Sequence, residues 1–149
     1  MRADKSGRCP FCDAVAAGDG QGSLVVERGA RCLMMLNAYP YASGHLMVLP
    51  HRHVAQLEEL DTAEAIELMT LTQRAIRALT AVMAPHGFNV GLNLGGAAGA
   101  GVADHLHQHV VPRWNGDTNF MPVIADTHVL SAALEATQTS LAQALKRLA

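Results

Sequence analysis

Apolar and polar positions along the 149-residue chain change period several times, and each change marks an element. Leu24–Glu27 and Arg31–Leu36 are short, largely apolar runs broken by Arg28-Gly29, a pattern that predicts a hairpin. After the loop Asn37-Ala38-Tyr39-Pro40-Tyr41-Ala42-Ser43-Gly44, the run His45–Leu49 predicts a third strand, stopped by Pro50. Over 61–84 the period lengthens. Ala65, Leu68, Met69, Thr72, Ala75, Ile76, Leu79, Val82 and Met83 fall at the three-four spacing of one buried helix face. Asp61 and Glu64 form a capping-box start, and Pro85 with Gly87 supplies the stop. Strand signals resume at Phe88–Leu94 and His105–Pro112, joined by the glycine-rich run 95–101. The C-terminal piece, 126–149, carries a second amphipathic helix over about Val129–Leu148. At the other end, 1–22 holds Cys9 and Cys12 and then a soft, Gly-rich stretch. No repeat or linker divides the chain. The expected architecture is one α+β domain over 1–149, with a mostly antiparallel sheet, one long central helix and a C-terminal helix.

Composition narrows the function. Half of the positions are hydrophobic, too many for a disordered chain, and the length suits a core closed without disulfides. The longest apolar runs, Cys32–Leu36 and Leu46–Pro50, fall far short of the roughly 18 residues of a membrane span. Met1–Cys9 carries charge with no apolar core behind it, so no signal peptide and a cytoplasmic location are expected. A net charge of −2 and a pI near 6.4 argue against a surface that wraps nucleic acid. Neither a nucleic-acid nor a membrane partner is expected. Three cysteines is an odd count, and the Cys9-Pro-Phe-Cys12 spacing suggests a metal or redox site before a disulfide framework.

Eight histidines are the compositional outlier, and three of them alternate in His105-Leu106-His107-Gln108-His109. In a strand this alternation puts all three on one side, roughly 6–7 Å apart. A bland core face is a poor home for them, because each buried imidazole needs a hydrogen-bond partner. Two chemistries suit such a row: a metal site, or nucleophilic and acid–base catalysis on an anion. Imidazole serves either, since its pKa lies near neutrality and its two nitrogens can do different jobs.

These residues resemble the histidine-triad (HIT) superfamily, whose signature is His-x-His-x-His followed by two apolar residues, here Val110-Val111. The resemblance extends to Asn37…Pro40…Gly44-His45-Leu46-Met47-Val48-Leu49-Pro50, to Asn93-x-Gly95, to the exit Val111-Pro112-Arg113 and to Cys9-x-x-Cys12. It covers about residues 9–115 and implies a HIT-like fold. The run Pro112–Pro122 looks like the prokaryotic branch that includes diadenosine tetraphosphate phosphorylases and hydrolases.

The resemblance implies a nucleotidyl hydrolase or transferase. His107 would attack the α-phosphorus, giving a nucleotidyl–histidine that phosphate or water resolves, while its other nitrogen donates to a backbone carbonyl. His109 would donate to a phosphate or leaving oxygen. Amides of the 95–101 loop, Gly99 and Gly101 included, would meet the phosphate charge alongside Asn93. Asn37 matches the asparagine that contacts ribose, Met35 and Met47 could form a slot for the base, and His45 would support the site by hydrogen bonding. One departure stands out. Many members carry Gln and then Ser or Thr where this chain has Gly101 and Val102, so backbone amides must replace two side-chain contacts.

A structural zinc is implied on Cys9, Cys12, His53 and His105, with His51 the alternative to His53; no organic cofactor is implied. Cys32 reads as a buried free thiol, and His86 and His128 as surface residues. Family members are commonly homodimers, so a homodimer or higher homo-oligomer is expected. The other readings are a nucleoside phosphoramidase and a non-catalytic nucleotide-binding sensor. Replacement of His107 would mark the sensor, and His107 is present.

Overall fold

The computed structural model describes residues 8–18, 23–117 and 133–148. The second half of the Pro112–Pro122 run and His128 lie outside the described residues. Five strands form one antiparallel sheet: β1 (Val25–Arg28), β2 (Cys32–Leu36), β3 (Leu46–Pro50), β4 (Gly87–Leu92) and β5 (Gln108–Arg113), in the order β1-β2-β3-β5-β4. Helices α1 (Pro10–Ala16), α2 (Thr62–Met83) and α3 (Leu134–Arg147), with short 3-10 turns at Leu57–Glu59 and Gly96–Ala98, give an α+β architecture. Among the described residues no helix is long and apolar enough to cross a membrane.

Both faces of the central strands are covered, which is why 32–36 and 46–50 read as unbroken apolar runs rather than alternating ones. On one face Cys32, Met34, Leu36, Leu46, Val48 and Val110 pack against Leu68, Ala75 and Leu79 of α2 and Leu141 and Leu145 of α3. On the other, Leu33, Met35, Met47 and Leu49 pack around Phe11 of α1, which is fully buried. The expected hairpin closes at Gly29, between β1 and β2. Pro50 ends β3 from inside the strand and pairs opposite Cys32, so it is the last strand residue rather than the first beyond it.

The long helix starts as its sequence predicts: Glu64 N–H donates to Asp61 Oδ1 (2.8 Å), and Glu64 Oε2 accepts from Asp61 N–H (2.9 Å). It stops at Ala84, whose left-handed φ of 45° turns the chain one residue before Pro85. The buried face is rotated from the predicted one. Glu64, Leu71 and Ala78 are buried, while Ala65, Met69 and Val82 are exposed. The sheet and α3 both pack on α2, so its apolar stripe is wider than a single partner requires. Glu64 is buried because its carboxylate is fully used: Arg52 donates to both oxygens at 2.6 Å, which holds its pKa down at about 2. That ion pair ties the segment after β3, which carries His53, to the start of α2.

Two expectations differ at the ends. The 1–22 segment contains α1, a short helix opened by Pro10 at its first position; seven residues are too few to show a period. The described part of the C-terminal helix runs from Leu134 to Arg147, and the predicted residues before 133 lie outside the described residues.

One glycine fixes the loop ahead of the site. Gly44 has φ +79°, and a Cβ there would lie 2.6 Å from Met83 Sδ and 2.9 Å from Leu79 Cδ2. The 37–45 loop therefore sits tight on α2, with Asn37 N–H donating to the His45 carbonyl at 2.9 Å.

Candidate active site

The strand carrying the triad begins only at Gln108, so His105 and His107 precede β5 instead of lying within it. Local hydrogen bonds explain the difference. Leu106 N–H donates to the Val54 carbonyl (2.7 Å) and His107 Nδ1–H to the His105 carbonyl (2.8 Å), which bends the chain out of extended geometry. The three imidazoles consequently part company. His105 turns toward the cysteines, while His107 and His109 stay together with ring centroids 4.9 Å apart.

His107, His109, Asn37, Asn93, Gly99, Gly101 and Met47 meet around one cleft of about 30 Å³, with Tyr39 and Tyr41 at its edge. Gly99, on the wall of this cleft, adopts φ +87°, a left-handed turn that favours glycine. Two residues expected here act from behind it. Met35 pairs with Met47 across β2 and β3 and packs into the core under the cleft rather than lining it. His45 is fully buried and reaches the cleft through His109, with His45 Nε2 2.9 Å from His109 Nδ1.

The hydrogen bonds fix the tautomers. His45 Nδ1 accepts the Tyr41 backbone N–H (3.1 Å), so its proton sits on Nε2 and is donated to His109 Nδ1. His109 is left with Nε2–H as its own donor. In His107 the backbone bond takes Nδ1–H, which leaves the Nε2 lone pair as the free nitrogen. Burial pushes the pKa of His107 down, partly offset by that bond. Burial, then the neighbouring His107, pushes His109 down to about 4. His45 falls to about 3 by burial, then through His109 and His107. A row of neutral, oriented rings results: one open lone pair on His107 and one N–H donor on His109.

Cys9, Cys12, His53 and His105 come together, with their four donor atoms within 4.8 Å of one another. His105 Nε2–H donates to the Pro50 carbonyl (2.9 Å), which frees Nδ1 to face Cys9 Sγ at 3.4 Å and Cys12 Sγ at 3.6 Å. His53 Nδ1 lies 3.2 Å from Cys12 Sγ. A tetrahedral zinc with S ligands at about 2.3 Å and N ligands at about 2.0 Å would hold sulfur and nitrogen about 3.5 Å apart, so the donor set fits. Of the two histidines left open by the sequence, His53 is in the cluster and His51 is outside it. Burial, then the adjacent Cys9, pushes the Cys12 thiol up. Between the cysteines, Phe11 packs its ring on both His105 (5.5 Å) and His107 (4.8 Å).

Comparison with known proteins settles the family. The HIT domain model matches residues 21–116, about two thirds of the chain. This chain belongs to the HIT domain family. The HIT chain is 51% identical over 133 residues, 89% of its length, to the AP-4-A phosphorylase of Mycobacterium tuberculosis, and covers 68% of that protein. It is 31% identical over 96 residues, 64% of its length, to the asymmetrical bis(5'-nucleosyl)-tetraphosphatase of Schizosaccharomyces pombe, and covers 52% of it. Among solved structures, a Zn-bound histidine triad family protein of Mycobacterium smegmatis superposes with TM-score 0.75 at 28% identity, covering 94% of each chain.

Residues of this HIT domain that pattern reading missed are aromatic. Phe11, Tyr39 and Tyr41 carried no assigned role, yet Phe11 packs on His107, and the Tyr41 ring lies 4.9 Å from His45 and 6.1 Å from His109. A usable signal was present: both tyrosines of an aromatic-poor chain fall in one eight-residue loop. Cys32 is buried as expected, with its thiol donating to the Glu64 carbonyl and its pKa pushed up to about 12, chiefly by burial. His86 is exposed, and its Nδ1 accepts the Asn115 N–H.

The neutral histidines set an acid limit on stability. His45 stays unprotonated in the fold down to about pH 3, whereas an unfolded histidine takes a proton below about pH 6.5. The unfolded state binds the extra proton, so stability is whole above pH 6.5 and falls as pH drops toward 3. The slope is about 1.4 kcal/mol per pH unit for one such group. Denaturant unfolding at several pH values between 7 and 4 is expected to give a shallower slope for His45→Asn than for wild type. Identical slopes would remove His45 as the cause.

Proposed function

We propose that this chain cleaves dinucleoside polyphosphates through a nucleotidyl–histidine intermediate on His107, with phosphate or water as acceptor. The observation that carries the reading is the fixed tautomer of His107, whose free Nε2 lone pair sits at a cleft shared with His109, Asn37 and the Gly99–Gly101 backbone. The 51% identity to a protein named AP-4-A phosphorylase supports the substrate class and favours phosphate as the acceptor.

The first step forms a bond from His107 Nε2 to the α-phosphorus and breaks the bond to the bridging oxygen. That oxygen leaves as the anionic end of the remaining polyphosphate, its charge met by a hydrogen bond from His109 Nε2–H. His109 Nδ1, which accepts the His45 N–H, keeps the donor aimed. In the second step an acceptor oxygen attacks phosphorus, the P–N bond breaks and returns the lone pair to His107 Nε2, and the acceptor's proton passes to solvent. Amides of the Gly99–Gly101 loop carry the charge on the non-bridging oxygens, the role left to backbone where relatives place side chains. Asn37 binds ribose, with its Oδ1 already holding the Tyr39 N–H at 2.9 Å. Met47 provides the apolar floor of the cleft, over Met35.

In this reading Cys9, Cys12, His53 and His105 hold a structural zinc. Four protein ligands leave no open coordination position, so the metal would tie α1 to the sheet without contacting substrate. The same reading takes the protein as a cytoplasmic homodimer or larger homo-oligomer. Strand β4 is an open edge of the sheet, and Val90 on it, like Ile66 and Met69 on α2, is exposed.

Product analysis on diadenosine tetraphosphate with and without inorganic phosphate tests the reaction. ADP plus ATP formed only with phosphate is the expected result. AMP plus ATP formed from water alone assigns hydrolysis, and no turnover under either condition overturns the reading.

A further inference from the structure

Beside the cleft, on the same sheet face, lies a second and much larger depression of about 550 Å³. Its lining includes Asn89 and Gly91 of β4, Val111 and Arg113 of β5, and Tyr41 and His109. Strand register explains why these share a face: Gly91 pairs with His109, Asn89 with Val111, and Gly87 with Arg113. Three residues, Tyr41, Asn93 and His109, border both spaces, whereas His107 borders only the small cleft. His109 is therefore the doorway between them.

The geometry points to this trough as the subsite for the departing nucleotide. The inference rests on the reading above and extends it to the half of the substrate that His107 does not keep. An in-line displacement expels the leaving oxygen on the side of phosphorus away from His107. The hydrogen bond to it comes from His109, so the departing chain emerges where the trough begins. Size agrees: at about 550 Å³ the trough falls in the range of small-molecule pockets. The chemistry of the walls suits a nucleoside. Tyr41, 74% exposed, offers an aromatic face at the rim, Val111 gives an apolar floor, and Asn89 and Asn93 bring amides for ribose or base edges. The far end is rigid, because Arg113 Nη1 donates to Asn89 Oδ1 (2.7 Å) while its Nε and Nη2 bind the Asp117 carboxylate at 2.6 and 2.7 Å.

Gly91 allows a direct test, since a Cβ there meets nothing within 4 Å and no main-chain strain opposes a side chain. Gly91→Leu would project a side chain into the trough from a position where its Cβ meets no neighbour. The experiment compares diadenosine tetraphosphate with the p-nitrophenyl ester of AMP, which presents the same transferred half and a small leaving group. For both Gly91→Leu and the independent Asn89→Ala, the ratio of kcat/KM for the dinucleotide to that for the ester is expected to fall about tenfold, carried mainly by KM. Equal loss on the two substrates would place the transferred nucleotide, not the leaving one, in the trough and overturn the inference. An unchanged ratio overturns it too. So does a change of oligomeric state in size-exclusion chromatography, because the trough would then belong to a subunit interface. Wild-type protein that turns over the ester but not the dinucleotide would instead sink the underlying reading of the substrate.

Discussion

His107→Ala is expected to lower turnover of diadenosine tetraphosphate by at least about 10⁴-fold, while nucleotide binding and the melting temperature stay close to wild type. The size of the loss follows from what the residue does. A nucleophile divides one hard displacement into two easier ones, and neighbouring groups cannot replace the missing bond. Among the described residues His109 is the other imidazole lining the cleft, and its Nδ1 is occupied by His45 while its Nε2 carries a proton. It has no lone pair to offer, so it cannot substitute. His109→Ala should cost less, about 10²–10³-fold, because it removes the hydrogen bond to the leaving oxygen but leaves the nucleophile.

The two variants are separable by leaving group. The loss in His109→Ala should shrink when the leaving oxygen is a weak base whose charge needs little stabilisation, whereas the loss in His107→Ala should not. Direct displacement without a nucleophile predicts no covalent species. Rapid quenching of the wild-type protein into alkali, followed by intact-protein mass measurement, should show one nucleotidyl group per chain, absent in His107→Ala. Turnover within tenfold of wild type in that variant would end the nucleotidyl–histidine mechanism for this protein.

What the sequence made legible follows from where each constraint lies. The strands of the centre and the capped start of α2 were readable because local patterning determines them. Apolar runs mark strands covered on both faces, and Asp61 with Glu64 closes its own hydrogen bonds within one turn. The gathering of Cys9, Cys12, His53 and His105 came only from resemblance, since its members lie up to 96 residues apart. The rotated face of α2 was not readable, because it depends on α3 packing from a second side and on Arg52 neutralising Glu64 inside the core. The triad was misread for a similar reason. Alternation of His105, His107 and His109 implies a strand, but the side-chain bond from His107 to the His105 carbonyl and the pull of the cysteine cluster override it. Of the residues expected to line the site, Met35 sits behind it, because strand parity gives a face but not a depth; His45 acts on the cleft through its hydrogen bond to His109.

Removing the metal should give the largest change in stability. In the reading above one zinc per chain holds α1 against the sheet through four donors. Structural zinc contributes about 10–16 kcal/mol of apparent binding free energy in small fingers that have no other core. Here the sheet has its own core on the α2 side, so only the Phe11 side depends on the metal, and the loss should be several kcal/mol. Cys12→Ser is therefore expected to lower the melting temperature by about 10 °C, at roughly 2–4 °C per kcal/mol for a chain of this size. A strong chelator should reproduce that shift in wild type and add nothing in the variant. Metal analysis of the purified protein should give close to one zinc per chain, and cobalt in its place should show the visible absorption of a tetrahedral thiolate site. A catalytic effect should follow from the packing. Phe11 lies between the two cysteines with its ring 4.8 Å from His107, so loosening α1 frees the ring that backs the nucleophile. Metal-free protein below its lowered melting point is expected to lose kcat more than it raises KM, and Phe11→Leu in zinc-loaded protein should show the same split while retaining the metal. If Cys12→Ser melts with wild type and wild type carries no zinc, the cluster is four unliganded side chains, and the support for His107 rests on the apolar packing of Phe11 alone.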